Sequence, residues 1–373
     1  MRPTVLKISE AALFNNARAI REAIPQQVGM ICVVKANAYG HGAVNAAKTM
    51  LAAGAAGFAV ACVEEAEELR HSGITAPIVI LGGGDEDSLR RAVRADVAQA
   101  VYDSEMISVM QDEAGRSGKT AKAHLKIDTG MSRIGVRNMQ KLNALLNFWR
   151  ESCPDVCMEG IFTHFCAADS DEAFTELQNE RFKKALAAVR AAGFKPKAHA
   201  AATTAMLDTR YQYDCVRAGI ALYGTLLPQL EGKLAYAQTL VSKPVRIESI
   251  AQGESIGYSR TYYAPRDMRV MTVPIGYGDG YPRVLSNRAS ALVCGRRAKI
   301  VGNVCMDMLM LDVTDIPGAD MNSEVVLMGA RGEERITPDE LAELAGTIPY
   351  EIMLGFSRRV PKLYERTAEG FKK

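Results

Sequence analysis

Between Met30 and about residue 225 the apolar residues come in short blocks that do not alternate with polar ones. The blocks are Met30–Val34, Gly57–Ala61, Ile78–Leu81, Ala98–Tyr102, Ala123–Ile127, Gly160–Thr163, Lys197–Ala201 and the brief Cys215–Val216. Between them the apolar spacing turns helical, as in Glu64–His71, Ser88–Arg94, Met139–Arg150 and Phe174–Ala192. A strand that alternates has one wet face, whereas a strand that stays apolar is covered on both, as in a parallel sheet packed by helices. Eight strands, each followed by a helix-sized segment, predict an α/β fold with a closed (β/α)8 barrel; an open doubly wound sheet is the alternative.

After about Gly224 the texture changes. Val241–Ile250, Met268–Pro274, Ala289–Cys294, Lys299–Val304, Leu309–Val313 and Glu324–Met328 are β-type runs parted by turn residues, with one good helix at Pro338–Leu344. This predicts a mostly antiparallel β domain, divided from the barrel as residues 1–228 and 229–373. The alternating run Val5–Ile8 can join it.

Charge removes several classes of partner. Lys and Arg number 45 against 43 Asp and Glu, a net charge of +2, so there is no footprint for nucleic acid or an anionic membrane. Met1–Thr4 leads directly into the first alternating run without the apolar core of a signal peptide. The longest apolar stretch, Leu51–Cys62, falls short of the roughly 20 residues a membrane-spanning helix needs. A cytoplasmic protein is expected. Of the 8 cysteines only Cys153 and Cys157 lie close together, and no histidine or second pair accompanies them, so free thiols are expected rather than a metal site.

The residues able to do chemistry fall at the ends of the predicted strands. Lys35 follows the first, Lys126, Asp128 and Arg133 the fifth, His164 the sixth, Thr203 and Thr204 the seventh, and Arg217 and Gly219 the eighth. In a (β/α)8 barrel these ends surround one mouth. A lysine on a half-dry floor has a lowered pKa and becomes a usable amine nucleophile, although a lysine snorkelling at a rim has the same local sequence. Gly219 and Ile220, opening a short helix in the loop after strand eight, suit a phosphate, with Thr203 or Thr204 adding a hydroxyl. Two loops of the β domain, Ile256–Tyr262 and Gly276–Pro282, combine tyrosines with turn residues.

Taken together these segments resemble the alanine racemases, a pyridoxal-phosphate (PLP) family. The resemblance is carried by Lys35–Gly42, Lys126–Gly135, Thr163–Phe165, Arg217–Gly224, Gly257–Ser259, Gly276–Pro282 and Val304–Asp307, and spans roughly residues 3 to 365. It implies a barrel followed by a β domain, PLP as cofactor, a small amino acid as substrate and a homodimer. Lys35 then carries PLP covalently and acts as one base, and Tyr258 of the partner subunit acts as the other. Arg217 meets the pyridine nitrogen, and His164 links Arg217 to Tyr258. Tyr39, Thr203, Gly219 and Ile220 surround the phosphate. Arg133 lies by the PLP phenolic oxygen and the substrate carboxylate, with Met306 reaching the substrate from the partner and Asp307 in support. Lys126 matches a position that carries a carbamate in some members and there holds the equivalent of Arg133. No metal is implied.

Those roles are chemically coherent. Racemisation removes a proton from one face of Cα and returns one to the other, which one base on each side accomplishes. A phenol is a poor base near neutrality; cationic neighbours such as a His164–Arg217 pair would help it. An arginine at the ring nitrogen keeps the cofactor a weaker electron sink than a carboxylate would. A PLP decarboxylase on this barrel would need that carboxylate. A PLP-binding regulatory protein would lack the β domain, and an aldolase using Lys35 directly would need no phosphate loop. Two departures bear on substrate. Ala202 stands where the family has an asparagine, and Arg358 stands where some members have a tyrosine. Arg358 is expected on the phosphate, with the substrate side chain as the alternative. The expected reaction is L-alanine to D-alanine and back, with a serine or broad small-amino-acid racemase as the second reading.

Overall fold

The computed structural model of the chain describes residues 3–225 and 227–366. Strand β1 (Val5–Ser9) leads into a helix, Glu10–Ala23, whose first turn is capped by the Ser9 hydroxyl accepting from the Ala12 N–H. Eight strands follow: β2 (Gly29–Val33), β3 (Gly57–Val60), β4 (Ile78–Ile80), β5 (Ala98–Val101), β6 (Ala121–Lys126), β7 (Val156–Phe162), β8 (Lys197–His199) and β9 (Cys215–Ala218). They pair in that order, and β9 pairs back onto β2 from Gly29↔Cys215 to Cys32↔Ala218. The sheet is therefore a closed parallel barrel, not an open one. Strands β3, β4 and β5 are buried at every residue, which is why they show no alternation. The helices between them start on Asp85, Asp103, Asn138 and Asp171, each accepting a backbone N–H three residues on.

The β domain differs in detail from the sequence reading. It comprises β10 (Gln238–Ser242), β11 (Arg246–Ile250), β12 (Ser255–Ile256), β13 (Tyr262–Tyr263), β14 (Met268–Val273), β15 (Ser290–Val293), β16 (Arg296–Lys299), β17 (Leu309–Asp312), β18 (Val325–Arg331), β19 (Glu334–Ile336) and β20 (Lys362–Glu365). The expected single run Val241–Ile250 is split between two sheets, β10 in one and β11 in the other. Pro244 lies at the break, where a residue without an N–H cannot continue a ladder. The run Lys299–Val304 is not a strand either. The strand precedes it, at β16, and the chain turns at Gly302 with φ +79°. A second helix, Pro349–Leu354, follows Pro338–Ala345. Strand β1 does join this domain, antiparallel to β10 and parallel to β20. Its sheet runs β16-β15-β18-β10-β1-β20, with β19 on β18, and β11-β14-β17 form a separate sheet. Among the described residues no helix is long and apolar enough to cross a membrane.

Candidate active site

The C-terminal ends of the barrel strands open into a cavity of about 580 Å3. Lys35, Lys126, Arg133, His164, Thr203 and Arg217 all line it. So do Tyr39, Gly219, Ile220 and Ala202, together with Tyr350 from the helix Pro349–Leu354.

The entry to the site is strained. Ala36, Asn37, Ala38 and Tyr39 all have left-handed backbone, with φ of 51°, 54°, 53° and 51°. Such a turn costs L-residues roughly 1–2 kcal/mol each, so its surroundings must enforce it. Glu65 accepts the Ala36 N–H at 2.6 Å, the Asn37 side chain accepts the Ala43 N–H at 2.8 Å, and the Ala38 N–H reaches the Val34 carbonyl at 2.8 Å. The turn sets Lys35 on the cavity wall and folds Tyr39 beneath it. Burial lowers the Lys35 pKa, Arg133 lowers it further, and Glu65 opposes both.

At the end of β9 the Gly219 N–H donates to the Thr203 hydroxyl at 3.0 Å. A Cβ on Gly219 would lie 3.3 Å from that hydroxyl and 3.4 Å from the Tyr39 hydroxyl. Any side chain here would fill a cradle of two hydroxyls and backbone N–H groups. The Tyr39 ring packs against Tyr223 and Tyr350, with centroids 4.8 and 5.7 Å away.

Arg217 is 2% exposed and crosses the barrel floor. One terminal nitrogen donates to His199 Nδ1 at 2.8 Å and the His199 carbonyl at 3.0 Å. The other shares its two hydrogens among the carbonyls of Thr163 at 2.8 Å and Ala200 at 2.7 Å and, more weakly, His164 Nδ1 at 3.2 Å. Only Nε–H lacks a partner among the described residues. Burial brings the guanidinium pKa down to about 9, which leaves it charged at neutral pH. His164 is pushed down to about 3, first by burial and then by Arg217, Lys126, Arg133 and Lys35. The expected cationic His164–Arg217 pair is thus corrected: of the two, Arg217 holds the charge and His164 is neutral, because its own burial and then its basic neighbours disfavour the imidazolium.

Lys126, 4% exposed, lies under the loop that carries Arg133. Asp128 folds that loop by accepting the Gly130 and Ser132 N–H groups, both at 3.0 Å. Lys126 Nζ sits 4.8 Å from the Phe162 ring centre. Burial, then Arg217 and Arg133, lower its pKa to about 7 against the opposing pull of Asp128.

Tyr258, Met306 and Asp307 line a different cavity, of about 610 Å3, on the β domain. Tyr258 is 69% and Met306 52% exposed. The glycine-rich loop noted in the sequence clamps this second cavity from below: Tyr277 N–H reaches the Cys305 carbonyl at 3.0 Å and Gly278 N–H the Met306 carbonyl at 2.8 Å. Arg359 ties Asp307 at 2.6 Å to Asp279 at 3.2 Å. Arg358 is exposed, lines neither cavity and has no polar partner among the described residues.

The alanine racemase N-terminal domain family matches residues 8–227 and the alanine racemase C-terminal domain family residues 237–364. The chain belongs to the alanine racemase family. It is an enzyme, an isomerase acting on amino acids, from a PLP-dependent family. An alanine racemase of Symbiobacterium thermophilum is 42% identical over 372 residues, covering 98% of this chain and 97% of that one. The crystal structure of a Bacillus anthracis alanine racemase with bound L-Ala-P superposes with a TM-score of 0.92 at 35% identity, covering 99% and 96% of the two chains. A histidine racemase of Leuconostoc mesenteroides has the same architecture, with a TM-score of 0.88 at 29% identity and 98% coverage of both chains.

The residues of this alanine racemase family member fit PLP. An unpaired Nε–H on a charged arginine suits a ring nitrogen acceptor, and the hydroxyl and N–H cradle suits a phosphate. Lys35, Arg133 and Arg217, with Lys126 only partly charged near neutral pH, face one cavity whose balance calls for anions. Among the described residues no cluster of His, Cys, Asp or Glu could hold a metal. Sequence reasoning missed Tyr350, His199 and the left-handed turn. A lone tyrosine after a proline, and a histidine inside an alanine run, carry no local signal of their place in the fold.

Proposed function

We propose that this enzyme interconverts L-alanine and D-alanine with PLP, working as a cytoplasmic homodimer in which Lys35 of one subunit and Tyr258 of the other are the two bases. The observation that carries the proposal is a single barrel mouth uniting a lysine of lowered pKa, a hydroxyl-lined anion cradle and a charged arginine with one unpaired donor. When bound, PLP draws electrons from Cα and makes its proton removable. Lys35 takes or returns that proton on one face. Tyr258 does so on the other, and its high exposure outside the barrel cavity supports delivery to a neighbouring copy. Because arginine only donates, His164 must accept at Nδ1, so its proton sits on Nε2. His164 can therefore donate outward to a phenolate, and the Arg217 charge stabilises that phenolate through it. Thr203, Tyr39, Gly219 and Ile220 hold the phosphate, Arg133 the substrate carboxylate, and Met306, beside Asp307, closes on the substrate from the partner. Arg358 lines neither cavity, so its place on the phosphate rests on the resemblance alone.

The test is racemisation of L-alanine against L-serine, followed by polarimetry or chiral chromatography. We expect kcat/KM to favour alanine by about tenfold or more, a difference of roughly 1.4 kcal/mol. Equal rates would favour the second reading, a broader small-amino-acid racemase, which Ala202 on the cavity wall and the histidine racemase of the same fold support.

Lys126 is read as a carbamate site. Its folded pKa of about 7 lies below the usual lysine value of 10.5, so the amine is charged below about pH 7 and neutral above it. Only the neutral amine attacks CO2, forming an N–C bond and releasing one proton. The resulting anion would offset Arg133 and Arg217. Protein equilibrated with 13C-bicarbonate is expected to show a carbamate carbon signal at pH 8 that fades by pH 6 and is absent in Lys126→Ala. A wild-type spectrum empty at pH 8 would remove this role.

A further inference from the structure

Arg217 is buried on a floor whose remaining polar groups form an ordered chain. His199 Nδ1 lies 2.8 Å from Arg217, His199 Nε2 lies 2.9 Å from His124 Nδ1, and His124 Nε2 lies 3.9 Å from Glu159. His199 is fully buried and its ring is stacked on Phe162, 4.9 Å away at 7°. Arginine has no acceptor. His199 Nδ1 must therefore accept, which puts its proton on Nε2. That proton forces His124 Nδ1 to accept in turn and leaves the His124 proton on Nε2, on the side of the Glu159 carboxylate, which at 3.9 Å acts as a nearby charge and not as a hydrogen-bond acceptor. Every donor in the chain points away from the guanidinium, and an anion ends it.

The strand register is modified to build this chain. Between β6 and β7 Ala123 pairs with Met158 but His124 pairs with Gly160, so Glu159 is an extra, bulged residue. A Cβ on Gly160 would come within 2.4 Å of His124 Nδ1, so only glycine admits the ring. Bulge and glycine each displace the ordinary ladder at the one place where the imidazole and its carboxylate must meet. Burial, then Arg217, His124 and Lys126, keep His199 uncharged, in line with the fixed tautomer.

We propose that His199, His124 and Glu159 are positioning residues that hold the Arg217 guanidinium charged and oriented beneath the cofactor ring through a one-way donor chain. The inference rests on the reading of Arg217 as the ring partner. The chain gives a buried cation an anionic counterpart outside the cavity, so that no carboxylate has to stand beside the ring nitrogen itself. None of the three groups lines the cavity; they act only through Arg217.

The direct test is 15N solid-state NMR of the enzyme as purified, labelled at histidine, which distinguishes the two neutral tautomers and the cation. His199 and His124 are both expected as Nε2–H tautomers at neutral pH. Kinetics supply a second reading on the holoenzyme. Asparagine can place an acceptor where Nδ1 stood and leucine cannot. His199→Leu is expected to lower kcat about 10–100-fold, the size of one charge-assisted hydrogen bond at a buried group, with little change in KM. His199→Asn should recover most of it. Glu159→Leu, at a half-exposed position, should lower kcat by a smaller factor that Glu159→Gln, lacking the charge, does not restore. A protonated or Nδ1–H His199 overturns the inference, as does a folded His199→Leu enzyme with the kcat of His199→Asn. If borohydride fixes no PLP on Lys35, the functional reading fails while the tautomer spectra stand.

Discussion

Lys35→Ala is expected to abolish the absorbance of lysine-bound PLP and to slow racemisation in both directions by about 10^4-fold or more. Two losses combine. On the proposed reading the variant lacks the amine that holds the cofactor, and it lacks one of two proton-transfer groups, a loss that alone accounts for about 10^2–10^4-fold. The structure sharpens this experiment because the cavity contains a rival amine. Lys126 also lines it, and its pKa is lowered to about 7. Accessibility argues for Lys35. Lys126 is 4% exposed beneath the Arg133 loop, with Gly135 and Val136 closed over it, whereas Lys35 is only partly buried at the end of β2. Borohydride reduction and peptide mapping should place PLP on the Lys35 peptide of the wild type and on none in the variant. Label on the Lys126 peptide, or retained absorbance in Lys35→Ala, would overturn the assignment. Folding should survive, because removing a half-desolvated ammonium flanked by Arg133 relieves repulsion.

The barrel was legible because its strands are buried on both faces, and a continuous apolar run survives any choice of partner strand. The β domain was less so. Which sheet a run joins depends on distant pairings, and one residue, Pro244, parts β10 from β11 where the hydropathy pattern runs on unbroken. The cavity residues Lys35, Arg133, His164, Thr203 and Arg217 were legible because a barrel gathers strand ends at one mouth, whatever the loops do. The left-handed turn was not. Lys35 to Tyr39 has no glycine, and its local preference is an ordinary right-handed helix. The conformation is imposed from outside, by Glu65 twenty-nine positions away and by the Asn37 cap on Ala43. Tyr350 is likewise brought to the barrel by a helix that follows the β sheets, a placement that no spacing near residue 350 encodes. The charge state of His164 needed the burial of its own imidazole and then the approach of four basic side chains, and a sequence names those side chains without bringing them together.

Mixing Lys35→Ala with Tyr258→Phe is expected to restore roughly a quarter of wild-type activity from two inactive proteins. Tyr258 stands 69% exposed on a turn that holds it outward, with Gly257, Ser259 and Arg260 at φ of 76°, 61° and 51°. Asn303 fixes that turn through the Tyr258 carbonyl at 2.8 Å. Met306, Met308 and Met310 join it in an open cavity that shares no residue with the barrel mouth. Strain spent on exposing an aromatic ring beside three methionines suits a surface that meets another copy. In a two-fold dimer each barrel mouth then receives the other chain's tyrosine, giving two equal sites. A mixed dimer has one site with both lesions and one with neither. Random exchange makes half the dimers mixed, and half of their sites are intact, which yields about one quarter overall. If the tyrosine served its own barrel, every site in the mixture would carry one lesion and activity would stay at the level of the separate variants. Native mass spectrometry of the mixture counts the mixed dimers directly. Full exchange without recovered activity would place both bases in one chain.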